Sequence, residues 1–284
     1  MAMDEKSLGK QLQSMRLGAN LTQQQLCQKA NISFSTLTKI ERGAIKSPSV
    51  FTVLAIANAV GVGLDELIGN RSGHAPGRVL KKTKSGNSFI YFDVNGCLVH
   101  FYQRAFAKLA ESTGVPSDMV ETAFWHYNDE VCKGTITIAE FNANLAKKIG
   151  VDSVRWQDYY LENVEPIVKM QETLKWASER YRVGLLTNIM PGLLSAMRKN
   201  EQLPNIHYDA IVDSSEVAAV KPEPEIFEIA RDKAGVPANQ ILLIDDSRVN
   251  LMAAEKQGWH TLWFDDSRVE ESVKRALSAL QPAD

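Results

Sequence analysis

An aspartate closes a run of β-formers in the stretch SFIYFDVNGCLVH (88–100): Asp93 follows Phe89-Ile-Tyr-Phe92, and Asn95 and Gly96 come next. A carboxylate at the end of a buried strand serves as a nucleophile or a metal ligand. A second acid two places on would give and take protons. Here that second position is an amide. Further polar groups stand just beyond other apolar runs: Thr187 with Asn188, Lys221, and the pair Asp245-Asp246. Singly each has a plain structural reading, as a helix cap, a surface lysine or a turn. Together they offer one carboxylate to attack, two to hold a divalent cation, and a hydroxyl and an ammonium for anionic oxygens. Hard oxygen ligands favour Mg²⁺ over zinc, and a cation beside a lysine suits a transferring phosphoryl group.

Such groups need a scaffold that brings them together. From Ser88 onward short apolar runs at 89–92, 183–186, 210–212, 241–244 and 261–264 are each followed by a helical stretch. That alternation predicts an α/β, Rossmann-like parallel sheet with helices on both faces. In such sheets ligands bind at the carboxyl ends of the strands, where these polar residues fall. The segment 101–166, between the first two strands, reads as helical.

The front third follows another pattern. Leu8, Leu12 and Met15 share one helical face. Thr22 is placed to cap a helix burying Leu26 and Ala30. Ser33 is placed to cap the next, which buries Leu37 and Ile40 and ends at Gly43. A further helix is expected over 50–60 and a last turn over 64–68, giving five short helices and no strand. Two short helices joined by a tight turn, the second exposing Ser, Thr and Lys, make a helix-turn-helix.

Composition sets the outer bounds. The chain has 284 residues, 44% hydrophobic and 23% charged, which suits two globular domains. Its opening MAMDEKSLGK is polar, and no apolar run reaches the length of a membrane span, so a cytoplasmic location is expected. Three scattered cysteines, Cys27, Cys97 and Cys132, give neither a disulfide framework nor a metal-ligand spacing. The net charge of -2 conceals an asymmetry: residues 1–87 hold 12 Lys+Arg against 5 Asp+Glu, and the remainder holds 20 against 29. A basic front joined to an acidic back is either a surface for a polyanion or an ordinary solvated face. Gly, Pro, Ser and five basic residues mark 71–87 as a linker, with a domain on either side at 1–70 and 88–284.

Two resemblances follow from these motifs. The run LTQQQLCQKANISFSTLTKIERG followed by PSVFTVLAIANAVGVGLDELIG resembles the phage-repressor-like (XRE) helix-turn-helix family. That resemblance implies a homodimer on double-stranded DNA. Its recognition helix would present Ser33, Phe34, Ser35, Thr36, Thr38 and Lys39, while Gln23 and Arg42 would hold phosphates. Lys39 suits a guanine edge and Phe34 a thymine methyl or, equally, a packing position. The motifs FDVNGCL, LLTN, VKPEPEIF and ILLIDDSRVN, in that order, resemble the haloacid dehalogenase (HAD) superfamily. The helical segment then resembles the small cap of subfamily I. The implied roles are Asp93 as nucleophile and Thr187, Asn188 and Lys221 as phosphate ligands. Mg²⁺ would be bound by Asp93, Asn95, Asp245 and Asp246, and a small phosphorylated metabolite would enter under the cap.

Asn95 departs from that pattern, because it stands where the superfamily's phosphatases keep their general acid/base. An amide can neither protonate a leaving alkoxide nor activate water, help that is worth about 10² to 10⁴ in rate. Besides a trivial reading, in which Asn95 is engineered or deamidation at Asn95-Gly96 restores the acid, three stand: a slow or selective phosphatase, a dehalogenase whose Asp attacks carbon, and a sensor of a phosphorylated metabolite. The intact Asp245-Asp246 pair argues against the second. An ordinary phosphatase that uses its helix-turn-helix only to dimerise is the alternative to a DNA-binding regulator.

Overall fold

The computed structural model describes residues 5–19, 21–45, 47–60 and 80–283. The chain divides into two units between residues 79 and 80.

In the front unit α1 (Glu5–Gly18), α2 (Gln23–Ala30), α3 (Phe34–Glu41) and α4 (Val50–Val60) surround Leu12, Leu26, Leu37, Ile40 and Ile56. Both expected caps are present. The Thr22 hydroxyl accepts from the Gln25 amide while the Gln25 side chain accepts from the Thr22 amide. Ser33 accepts from Thr36 N at 3.1 Å. A buried ion pair joins α1 to α3: Arg16 Nε and Nη2 donate to Glu41 at 2.7 and 3.0 Å. The fifth helix expected over 64–68 lies outside the described residues.

The back unit is built on five parallel strands, β1 (Phe89–Phe92), β2 (Arg182–Thr187), β3 (Ala210–Asp213), β4 (Ile241–Asp245) and β5 (His260–Trp263), in the order β3-β2-β1-β4-β5. The central strand β1 is buried on both faces, which explains its unbroken apolar run. Its alternate residues enter different cores, Ile90 and Phe92 one, Phe89 and Tyr91 the other. Gly184 in β2 is required by that packing: a Cβ there would stand 2.7 Å from both Ala210 O and Tyr91 Cε1.

Between β1 and β2 the chain forms the expected helical cap, α5 (Gln103–Thr113), α6 (Ser117–Cys132), α7 (Ile138–Ile149) and α8 (Trp156–Glu162). It has an aromatic core in which Phe124 lies 5.1 Å from Phe106 and 4.6 Å from Trp156. Ser214 Oγ donates to Cys132 O at 2.6 Å and Lys133 pairs with Glu223 at 2.7 Å, tying the end of α6 to the sheet domain.

The expected linker ends sooner than residue 87. Lys84 N donates to Gln281 O, Ala283 N to Lys82 O and Lys81 N to Arg180 O, so residues 80–87 are part of the back unit. Thr83 and Asn87 are buried there. Arg71 and Arg78 lie outside the described residues. Among the described residues no helix is long and apolar enough to cross a membrane.

Candidate active site

Asp93 extends the β1 ladder by one bond, its amide donating to Ile244 O at 2.9 Å, and the chain then turns sharply through Val94–Val99. Gly96 makes this turn possible. Its φ is +84°, and a Cβ would lie 2.3 Å from Asp246 Oδ2. The turn and the end of β4 therefore approach closely, and carboxylate oxygens of Asp93, Asp245 and Asp246 lie within 4.8 Å of one another.

One cation answers these three acids. Lys221 Nζ stands 2.9 Å from Asp93 Oδ1 and 2.5 Å from Asp245 Oδ2, and donates to Leu186 O at 2.9 Å, so its three protons are all engaged. Burial opposes its charge, but Asp245 and Asp93 outweigh burial and push its pKa up. Burial raises the Asp93 carboxyl to about 6, with Lys221 pulling down and Asp245 pushing up. Asp246 is raised further, to about 8, by burial first and then by the charges of Asp93 and Asp245. A divalent cation would relieve that repulsion, and the donor set is all oxygen, so the residues present fit Mg²⁺.

Among the described residues the buried Thr187 Oγ1 has no hydrogen-bond partner, so its hydroxyl is available to a bound group. Asn188 is placed differently from the sequence reading. Its Nδ2 donates to Lys221 O and its Oδ1 accepts from Lys221 N, both at 2.8 Å, so its side chain braces the lysine at the edge of the site. Asn250, which had no assigned role, donates to Asp245 Oδ1 at 3.1 Å beside Ser247 N at 2.8 Å.

Asn95 is held from the cap. Tyr160 donates to its Oδ1 at 2.6 Å, and its Nδ2 donates to the Tyr102 hydroxyl at 3.1 Å. Both hydroxyls are pushed above their ordinary pKa, by burial first, and so stay protonated. Both side-chain amide atoms of Asn95 are thus engaged by the cap. Its main-chain carbonyl is the group left to offer. A cavity of about 230 Å³ opens over the acids, lined on the sheet side by Asp93, Asn95, Lys221 and Asp246 and on the cap side by Phe101, Tyr102, Trp125, Asn128 and Asp129. Neither the two tyrosines nor this cap wall was foreseen.

In the front unit Phe34, Ser35, Lys39 and Arg42 are exposed on or just after α3, and Phe34, at 50% exposure, is not a packing residue. The hydroxyls of Ser33 and Thr38 are used within the helix, as the N-cap and in a bond to Phe34 O; Thr36 Oγ1 lies 2.7 Å from Ser33 Oγ. Gln23, expected on a phosphate, spends one Nε2 proton on Glu41 Oε2 at 2.7 Å.

Each half of the chain resembles known proteins. Residues 12–67 match the helix-turn-helix family model, and the 66 residues that align with the immunity repressor protein of Bacillus phage phi105 are 36% identical, covering 23% of this chain and 45% of that protein. Phosphatase MT3486 of Mycobacterium tuberculosis (strain CDC 1551 / Oshkosh) is 27% identical over 207 residues, 68% of this chain and 94% of its own. The HAD family enzyme bt-2542 of Bacteroides thetaiotaomicron, solved as a magnesium complex, superposes with a TM-score of 0.54 at 25% identity over 63% of this chain and 93% of that one. Residues 89–258 match the haloacid dehalogenase-like hydrolase model, well over half of the chain, and with an XRE-type helix-turn-helix in front of it this protein belongs to that hydrolase family.

Proposed function

We propose that the protein is a DNA-binding transcriptional regulator whose hydrolase domain accepts a phosphoryl group from a small phosphorylated metabolite and releases it slowly. The observation that carries this reading is Asn95. A complete set of acids, hydroxyl and lysine surrounds a position whose proton-transfer group is an amide, tied at both ends to cap tyrosines. Asp93 would attack phosphorus while Lys221 and Thr187 bind the phosphoryl oxygens, and the leaving group would depart as its own anion. Asp93, Asp245 and Asp246 would hold Mg²⁺, which when bound neutralises charge on the phosphoryl group. Water must then attack the aspartyl-phosphate without a base at position 95, so the covalent state persists. That state would be the signal that alters how the helix-turn-helix engages DNA. A dimer with recognition helices roughly 34 Å apart suits this role.

The test is intact-mass spectrometry after incubation with acetyl phosphate and Mg²⁺. A phosphoryl adduct on the wild type, absent from Asp93→Ala, is expected; rapid multiple turnover of an alkyl phosphate by the wild type would sink the reading. A mobility shift on random duplex DNA across a salt series tests the front domain, since a DNA binder weakens steeply as salt rises. Salt-insensitive or absent binding would favour a phosphatase that uses its helix-turn-helix only to dimerise.

A further inference from the structure

The cap side of the cavity carries chemistry that the phosphoryl site does not need. Phe101 and Trp125 stack with centroids 5.5 Å apart and planes 11° from parallel, and Tyr102 lies 4.5 Å from Phe101, so three rings line one wall. Trp125 is 41% exposed and open to contact. Of the described residues lining the cavity only Lys221 is cationic, and in the proposed reaction it serves the transferring phosphoryl group. A second phosphate or a carboxylate on the substrate would meet Asp129 and Asp246 with no further cation among the described residues to hold it.

Resting on the phosphoryl-acceptor reading above, we infer that the donor is an aryl phosphate: a planar aromatic ring, without a further negative charge, bonded through oxygen to the phosphorus. Two independent observations point the same way. The first is the aromatic wall. The second is Asn95, which leaves no acid for a poor leaving group. Asp93 Oδ forms the bond to phosphorus, the bond from phosphorus to the aryl oxygen breaks, and its electron pair leaves on a phenolate. Phenols ionise near pH 10, against about 16 for water, so that oxygen departs without a proton. Size is compatible, since a cavity of about 150 Å³ takes a benzene ring and this one, at about 230 Å³, leaves room for a phosphoryl group. Asn128 and Asp129 would meet neutral substituents on the ring.

Phosphonates test this without any leaving-group chemistry, because their carbon–phosphorus bond stays intact. Calorimetry on the full chain with Mg²⁺ compares phenylphosphonate with cyclohexyl-, methyl- and 2-aminoethylphosphonate. The phenyl ligand should bind about 3- to 10-fold more tightly than the cyclohexyl one, as ring stacking allows, and more tightly than the other two. Trp125→Leu and Phe101→Leu should each erase most of that preference and leave methylphosphonate affinity within about twofold; Trp125→Phe should retain it. Equal affinity of the phenyl and cyclohexyl ligands would overturn the inference, as would 2-aminoethylphosphonate binding as tightly as phenylphosphonate, which would mean that the rings serve a cation. An intact phenyl preference with no adduct from acetyl phosphate would sustain the aromatic subsite and refute the acceptor reading alone.

Discussion

Replacing Asn95 by Asp restores the missing carboxyl, and the surrounding hydrogen bonds determine what that carboxyl can do. In the wild type Tyr160 donates to the amide oxygen at 2.6 Å, and the amide nitrogen donates to Tyr102 at 3.1 Å. With a carboxylate there, Tyr102 must turn its proton round, and the new group then accepts from both hydroxyls. Hydrogen bonds to the charged form favour it, and because Tyr102 and Tyr160 are both protonated the group is held as a carboxylate. A carboxylate is a base. It should speed attack of water on the aspartyl-phosphate and do much less to protonate a departing alkoxide.

A positioned base is worth about 10² to 10⁴ in rate. Two of the carboxylate's lone pairs are spent on tyrosines, so the lower end applies. The phosphoryl adduct of Asn95→Asp should decay about 100-fold faster than that of the wild type, equivalent to about 2.7 kcal/mol of barrier. Turnover of an alkyl phosphate should rise less than tenfold. The assay is a time course of intact mass after removal of acetyl phosphate. Adding Tyr160→Phe frees one lone pair and should shorten the adduct's life further. Adduct lifetimes within threefold of each other in the wild type and Asn95→Asp would refute the reasoning, as would a larger gain in alkyl phosphate turnover than in adduct decay.

Other expectations are simpler. Because the folded pKa values of Asp93 and Asp246 lie above the ordinary 3.8, near 6 and 8, the metal-free hydrolase domain binds extra protons and should lose stability as pH rises from about 4 through 8. Mg²⁺ at 100 times its Kd adds about 2.7 kcal/mol, or about 5–10 °C in Tm for a domain of this size. The gain should be largest at pH 8 and absent in Asp246→Ala; an unmoved wild-type Tm would remove the metal site. Lys39→Ala should cost about 1–3 kcal/mol on a cognate DNA site and relax specificity at one position, while Gln23→Ala, through Glu41, should weaken all sequences alike. Arg16→Met strips the buried Glu41 carboxylate of its cation and should destabilise the front domain by about 3–5 kcal/mol, read from its melting transition; a change under 1 kcal/mol would refute the pair's role.

The parts legible in the sequence were those written in consecutive residues. The runs 89–92 and 241–244 became strands because nothing polar interrupts them, and Thr22 and Ser33 became caps because the bonds they make are only three residues long. What stayed hidden depended on partners far along the chain. Tyr160 reaches Asn95 across 65 residues from a cap helix whose local pattern records only its apolar face. Lys84 pairs with Gln281 partly through main-chain atoms, which carry no side-chain signature, so a packed segment read as a tether. In the sequence Asn188 and Gln23 read as phosphate ligands because an amide at an element's end suits either a ligand or a neighbour. In both cases a neighbour inside the fold took the bonds.

Charge would favour an amide over an acid in the proposed phosphoryl-holding domain. Three carboxylates face one ammonium, and Mg²⁺ would bring the site to neutrality. A phosphoryl group on Asp93 exchanges a single negative charge for about two, so the loaded site is already in excess by one. A carboxylate at position 95 would double that excess within a buried space, where like charges repel most strongly. It would disfavour the loaded state and supply the base that empties it. The amide does neither, and it still gives Tyr102 and Tyr160 the oxygen and the N–H that they bind. In the proposed switch an amide at position 95 would therefore slow release, steady the acyl phosphate and keep the bonds to the cap tyrosines.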